Sequence, residues 1–242
     1  MLPATPVERL RLALGYPYPA PEHSFVFTAE GPRPFDAADL SGRRPVLAHG
    51  SNRSPAQLAR KFAQFPADRR IIPVSYVWLD DYDVVYSAHI TTYGAVASTL
   101  QHVPGCRARV ALTWLDAPQL ARMHETEGNY SFGHLEGVKV EPEAGDEDLG
   151  DRIAMYLSDH GHLTEHGGPV GLAAVQARQR PHASRTQAQV LEHLRVRLDP
   201  ARGFERFVLD NVDDAEQRRR HVASLARQAG VTRVPHFVAE TD

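Results

Sequence analysis

Three places along this 242-residue chain bring together residue types that can do chemistry. In the first, an apolar run, Val46-Leu47-Ala48, stops at His49-Gly50-Ser51-Asn52 and is followed by Ser54-Pro55. Ser54 is a helix-capping residue, Pro55 suits the first helical position, and Gln57 stands where a capping-box partner belongs. Gly50-Ser51-Asn52 therefore joins a strand end to a helix N-terminus, where N–H groups lack intrahelical partners and the helix dipole favours negative charge. Such a corner can hold a carboxylate or a developing oxyanion. A nucleophile elbow at Ser51 is disfavoured, because residues 49 and 53 are His and Arg where that turn needs glycines.

The second place is Glu125-Thr126-Glu127-Gly128-Asn129-Tyr130, which ends a segment that Asp116 can cap with Gln119 as its box partner. Positions two apart on a helix project about 200° apart, so Glu125 and Glu127 cannot serve the same site. The third is Asp159-His160-Gly161-His162-Leu163-Thr164-Glu165-His166. Its spacing matches no metal motif, and Gly167-Gly168-Pro169 follows, so it reads as a polar loop and no metal ligands are assigned.

The elements that must position these groups fall into three parts. Residues 1–43 form an N-terminal arm, with an amphipathic segment over 7–14 and a proline-rich run, Pro17-Tyr18-Pro19-Ala20-Pro21, that cannot continue a helix; nothing in it suggests chemistry. Residues 44–165 alternate strand-like runs (71–79, 83–88, 96–100, 109–115, 137–141 and 153–157) with helices over 55–65 and 117–126. Several strands around few helices predict an α+β domain with a small mixed β-barrel or strongly bent sheet. Residues 166–242 read as an appended helical C-terminal region. It has a helical option over 170–178, a helix to 198 capped by Ser184 with Gln187, and a helix from Asp213 and Glu216 to near Gly230.

Composition narrows the class. Hydrophobic residues make up 42% and charged residues 24%, which is ordinary globular usage. A formal charge of −3 without a basic stripe excludes nucleic acid as the expected partner, and Arg218-Arg219-Arg220 reads as a solvated helix face. The single cysteine, Cys106, forbids an internal disulfide and suits a reducing compartment. No apolar stretch approaches spanning length and no leader pattern opens the chain, so a cytoplasmic protein without membrane contact is expected.

Taken in order, several short motifs resemble the gamma-glutamyl cyclotransferase-like superfamily over residues 45–141. They are the His49-Gly50-Ser51-Asn52 loop, the strand Tyr93-Gly94-Ala95-Val96-Ala97-Ser98-Thr99-Leu100, the turn Val103-Pro104-Gly105, the strand at 109–115 and the pair Glu127-Gly128. Members of that superfamily carry a Tyr-Gly-Ser-Asn loop, a Gly-rich Ala-Thr-Ile strand, a Pro-Gly turn and a Glu-Gly pair whose glutamate is the acid/base. The resemblance implies a cofactor-free reaction in which the alpha-amine of a gamma-glutamyl amine attacks its own side-chain carbonyl, releasing 5-oxoproline. Attack within one molecule gains from proximity, and what remains is proton transfer, which one carboxylate can perform in turn as base and acid. The resemblance puts that role on Glu127, gives substrate binding to His49, Gly50, Ser51 and Asn52, and adds Thr99 on the Gly-rich strand and His134 at an aromatic position of the following strand. His49 departs from the loop tyrosine and His134 from the aromatic residue, which puts the identity of the amine in question and leaves a second reading open: a non-catalytic module of the same fold that binds a small metabolite. The amine and the oligomeric state stay open at this stage.

Overall fold

A computed structural model describes residues 3–143 and 149–240. The chain runs through α1 (Pro6–Leu14), β1 (Phe25–Thr28), β2 (Gly31–Pro34), β3 (Arg44–Ala48), α2 (Pro55–Lys61), β4 (Ile72–Ile90), β5 (Val96–Leu115) and α3 (Ala117–Thr126). It continues with β6 (Tyr130–Glu136), β7 (Val140–Pro142) and β8 (Arg152–Ser158). Five two-residue strands follow: β9 (Thr164–Glu165), β10 (Gly168–Pro169), β11 (Gly171–Leu172), β12 (Ala177–Arg178) and β13 (Ser184–Arg185). The last elements are α4 (Gln187–Leu198), α5 (Phe204–Asp213), α6 (Ala215–Ala226) and β14 (Phe237–Ala239).

The result is a mixed α+β architecture with six α-helices among the described residues and one large sheet in the order β13-β11-β4-β5-β3-β8-β6-β14. The sheet does not close, so the barrel form of the expectation is corrected. β3 and β8 run parallel, while β4-β5, β3-β5 and β6-β8 are antiparallel. The sheet draws β1 and β2 from the N-terminal arm and β11 to β14 from the C-terminal third.

β4 and β5 are each one strand where the sequence suggested two. Pro104-Gly105 is a turn in the sequence reading and Asp80-Asp81 lies in the gap between two of its strands, but in the structure they face each other across the ribbon as a β-bulge. Tyr82 pairs with both Arg107 and His102, Asp81 takes φ 63°, and the Gly105 N–H donates to Asp81 Oδ1 at 2.7 Å. Residues of turn type thus bend both strands together and curve the sheet. Burial on both faces of β4 follows from two apolar cores. One joins Phe25, Val46, Leu58, Phe62, Ile72 and Met123; the other joins Leu47, Val77, Leu112, Leu194, Phe207 and Leu225.

Other boundaries shift for local reasons. The 170–178 helix does not form: Gly171 and Leu172 are sheet residues, and Arg180 covers Gly171 so closely that a Cβ there would lie 2.8 Å from Nε. Thr186 with Gln189, not Ser184 with Gln187, makes the capping box of α4. Asp214 rather than Asp213 caps α6, because residues 204–213 form a helix of their own that the sequence reading missed. Ser54 does not cap α2; its hydroxyl donates to Pro19 O at 2.8 Å. Among the described residues no helix is long and apolar enough to cross a membrane.

A buried clasp ties the 171–185 segment to β4. Asp83, fully buried, accepts from Arg180 Nε at 2.7 Å, Arg180 Nη2 at 2.8 Å and His182 Nε2 at 2.9 Å. Burial alone would raise this carboxyl, but the hydrogen bonds from His182 and Arg180 and their charges outweigh it and hold it below the ordinary value. The clasp therefore stabilises fully above the unfolded aspartate value of about 3.9 and loses that contribution as the pH falls through the lower folded value. Asp83→Asn should cost about 3 kcal/mol at neutral pH by leaving Arg180 unpaired, and should flatten the acid limb of stability against pH. Denaturant midpoints from pH 7 down to 2 measure both effects; an unaltered acid limb would remove the clasp from this role.

Candidate functional site

β3, α3, the N-terminal arm and the start of β6 meet at one cavity of about 160 Å³. β3 stops at Ala48 because His49-Gly50 leaves the sheet and Ser51–Arg53 forms a single tight turn before α2. Among the described residues no acceptor is found for the N–H groups of Gly50, Ser51 and Asn52, as expected for amides that precede the first helical bonds. α3 is set by the anticipated capping box: Gln119 N donates to Asp116 Oδ1 at 2.9 Å, and Asp116 N donates to Gln119 Oε1 at 3.2 Å. Gln119 also donates to Arg69 O and Ile71 O, which pins the helix to the segment before β4. At its other end the helix closes on Glu127, whose N–H still donates to His124 O.

Glu127 enters the cavity wall beside the 50–52 loop. Its Oε1 accepts from the Lys61 ammonium and, at 3.1 Å, from Asn52 Nδ2; among the described residues nothing bonds Oε2. The ion pair is desolvated, with the Lys61 side chain 8% and the Glu127 side chain 11% exposed. Lys61 Nζ also lies 3.2 Å from Met123 Sδ. Since the carboxylate fixes the Asn52 amide with nitrogen inward, Asn52 Oδ1 is left buried without a partner. Among the described residues lining the cavity, only Lys61 and Glu127 carry charge. Glu125 points elsewhere, exposed and paired with Arg122 at 2.6 Å, as the helical angle required.

Sequence reasoning missed Lys61. A signal was present: over the expected 55–65 helix, which in the structure ends at Lys61, that lysine stands in the otherwise apolar row Leu58, Lys61, Phe62, Phe65. A lysine on such a face needs a buried counter-charge.

His49 lies in the wall but is not free to bind through nitrogen. Its Nδ1 is 3.0 Å from Ser98 Oγ and its Nε2 is 3.0 Å from Tyr156 O. A carbonyl can only accept, so Nε2 carries the proton and Nδ1 accepts from the Ser98 hydroxyl; burial keeps the ring neutral by pushing its pKa down. Ser98 Oγ in turn accepts from the Tyr16 hydroxyl at 2.7 Å, and Ser98 N–H donates back to Tyr16 Oη at 3.0 Å. The arm that suggested no chemistry thus supplies Tyr16 to the wall. Tyr93, Tyr130 and Tyr156 complete an aromatic ring around the ion pair. Burial pushes the Tyr16 phenol up to about 12 and raises the other three, so all four remain protonated donors at neutral pH. Tyr16→Phe should leave the buried Ser98 N–H unsatisfied and lower stability by about 1–2 kcal/mol, read as a shift in urea midpoint; an unshifted midpoint would mean that the arm is not held through this bond.

Two expected binding residues lie elsewhere. Thr99 faces the interior, where its Oγ1 accepts from Ser158 N at 3.4 Å. His134 sits on β6 beside β14, 3.0 Å from Glu136 and 3.6 Å from Glu240. Neither lines the cavity, and the aromatic wall after Glu127 is Tyr130, whose hydroxyl donates to Ser98 O at 3.1 Å. The 159–166 segment also spreads its polar groups. His160 stacks on His89, His162 bridges to Ser87 and Gly230, and Glu165 pairs with Arg185 at 2.9 Å. Among the described residues no three His, Cys, Asp or Glu side chains are grouped to hold a metal ion.

No protein-family model and no curated protein matches this chain. A solved structure, a gamma-glutamyl cyclotransferase, aligns with 82% of this chain and 94% of its own, at 12% identity and a TM-score of 0.37. A superposition that loose carries no argument about activity.

Proposed function

We propose that this chain releases 5-oxoproline from a gamma-glutamyl amine, with Glu127 as general acid/base and no cofactor. The observation that carries the reading is Glu127 itself: a desolvated carboxylate in a cavity, held by Lys61 and Asn52 through one oxygen while the other has no partner among the described residues. The reaction needs two protons to leave the substrate's alpha-ammonium and two to reach the departing nitrogen. In the proposed course Oε2 takes the first proton, the amine attacks the side-chain carbonyl and the lactam C–N bond forms. Glu127 gives that proton to the departing nitrogen as the old C–N bond breaks, and the second proton passes from the new lactam nitrogen through the same carboxylate to the freed amine. The unpartnered N–H groups of 50–52 suit the substrate carboxylate or the developing oxyanion, and Asn52 Oδ1 suits its ammonium.

Incubation with a panel of gamma-glutamyl amines should yield 5-oxoproline and free amine in equal amounts by mass spectrometry. A folded protein that forms none from any member would overturn the reading. One observation favours the alternative of a binding module: Lys61 already satisfies the carboxylate that a catalyst must use. A module would be stabilised thermally by the same compounds while leaving them intact.

A further inference from the structure

A second cavity, of about 420 Å³, adjoins the first and shares His89, Thr91, Thr92 and Asn129 as a common wall. Its far side is α6, which presents Arg218, Arg219, Val222 and Ala223. This triplet of arginines read as a solvated face in the sequence, yet its members differ. Arg220 pairs with Glu216, whereas Arg218 donates to Asn211 O and Val212 O, and neither Arg218 nor Arg219 forms an ion pair among the described residues. Asp214, the acid that feels the charge of Arg219, is engaged at 2.9 Å in capping α6 through the N–H groups of Glu216 and Gln217. Two guanidinium groups without carboxylate partners among the described residues therefore border a cavity that shares a wall with the one holding Glu127.

The shared wall also has an unmet bonding need. His89 is 4% exposed and stacked on His160 at 4.6 Å, and its Nε2 has no partner among the described residues. Burial and the neighbouring His160 push it down to about 3, so it is neutral and offers one polar nitrogen without charge. A buried ring nitrogen in the wall between two adjoining cavities, without a partner among the described residues, is a bonding position that a ligand reaching across that wall would satisfy.

We infer that the cavity beneath α6 is the subsite for the amine half of the substrate, and that Arg219, with Arg218, selects amines that carry an anionic group, a carboxylate or a phosphate. The inference rests on the acid/base reading of Glu127 for its reaction, but not for its binding site. His89 Nε2 meets the substrate near the bond that breaks, Val222 and Ala223 cover the carbon chain of the amine, and the guanidinium groups meet the anion.

The test uses three substrates with the same gamma-glutamyl half: gamma-glutamyl-alanine, gamma-glutamyl-ethylamide, and gamma-glutamyl-aminoethyl phosphate. The wild type should prefer the better anionic compound over the ethylamide by about tenfold in kcat/KM, the order set by one charge-assisted hydrogen bond. Arg219→Gln should collapse that ratio toward one, chiefly through KM. The ranking of carboxylate against phosphate names the anion. Calorimetric binding of the three compounds, to Glu127→Gln and to wild type wherever no product forms, separates the two claims. Product without anion preference overturns the subsite and leaves the reaction standing. Binding that prefers the anion and depends on Arg219, with no product, supports the subsite and overturns the reaction. Neither binding nor product overturns both.

Discussion

Glu127→Gln should cut 5-oxoproline release by about 10³-fold, within the range that a lost general acid/base commonly costs. The side chain keeps its shape and can still accept from Asn52, so the substrate should still bind. The fold is not indifferent to the change, because the Lys61 ammonium, 8% exposed, loses its counter-charge. Breaking a buried pair from one side costs about 3 kcal/mol, so Glu127→Gln alone should melt earlier than wild type. Loss of activity and loss of stability would then be confounded. Lys61→Met/Glu127→Gln separates them: methionine meets Met123 and Phe62 without leaving a charge, so the double variant should regain most of the melting temperature and remain inactive. Full product release by either variant would remove Glu127 from the chemistry. A double variant that stays as unstable as the single one would mean that the pair is not the source of the lost stability.

Gly50→Ala should be the most damaging small change in the loop. The glycine does not need a left-handed backbone, since its φ is −117°. It needs room. A Cβ at this position would overlap the Tyr16 hydroxyl and lie 2.8 Å from Ser98 Oγ, the two groups that hold His49 and the arm in place. Overpacking of this kind costs about 2 kcal/mol, and the expelled tyrosine would take the cavity wall with it, so product release should fall together with the melt. Adding Tyr16→Phe should restore part of the stability, because the ring carbon Cζ is 3.4 Å from the new Cβ, an ordinary contact, once the hydroxyl is gone. Gly50→Ala with a wild-type melt would show that Tyr16 does not approach as described.

Much of the scaffold was legible without coordinates because its signals are local. The Asp116–Gln119 box, the strand ending at Ala48, the tight turn before α2 and the opposed directions of Glu125 and Glu127 each depend on a few neighbouring residues and on helix or strand geometry. Reading failed where local residue types had a distant purpose. Asp80-Asp81 and Pro104-Gly105 have the chemistry of turns, and only their meeting across the ribbon makes them a bulge. Ser54 is a capping residue whose hydroxyl was claimed instead by Pro19, brought there by the arm.

The candidate site divides along the same line. Sequence by itself determined that a carboxylate would end α3 and that a loop of free amides would follow β3, since each is a property of one element's terminus. Tertiary structure alone decided what those groups meet. Lys61 reaches Glu127 across 66 residues, and Tyr16 reaches Ser98 across 82, and no periodicity relates positions so far apart. It also took Thr99 and His134 out of the cavity and set Tyr130 in its wall, because a strand residue's face depends on how its strand is seated in the curved sheet. Local geometry places a functional group at the end of an element; packing of the whole chain decides whether it is charged, satisfied and within reach of a ligand.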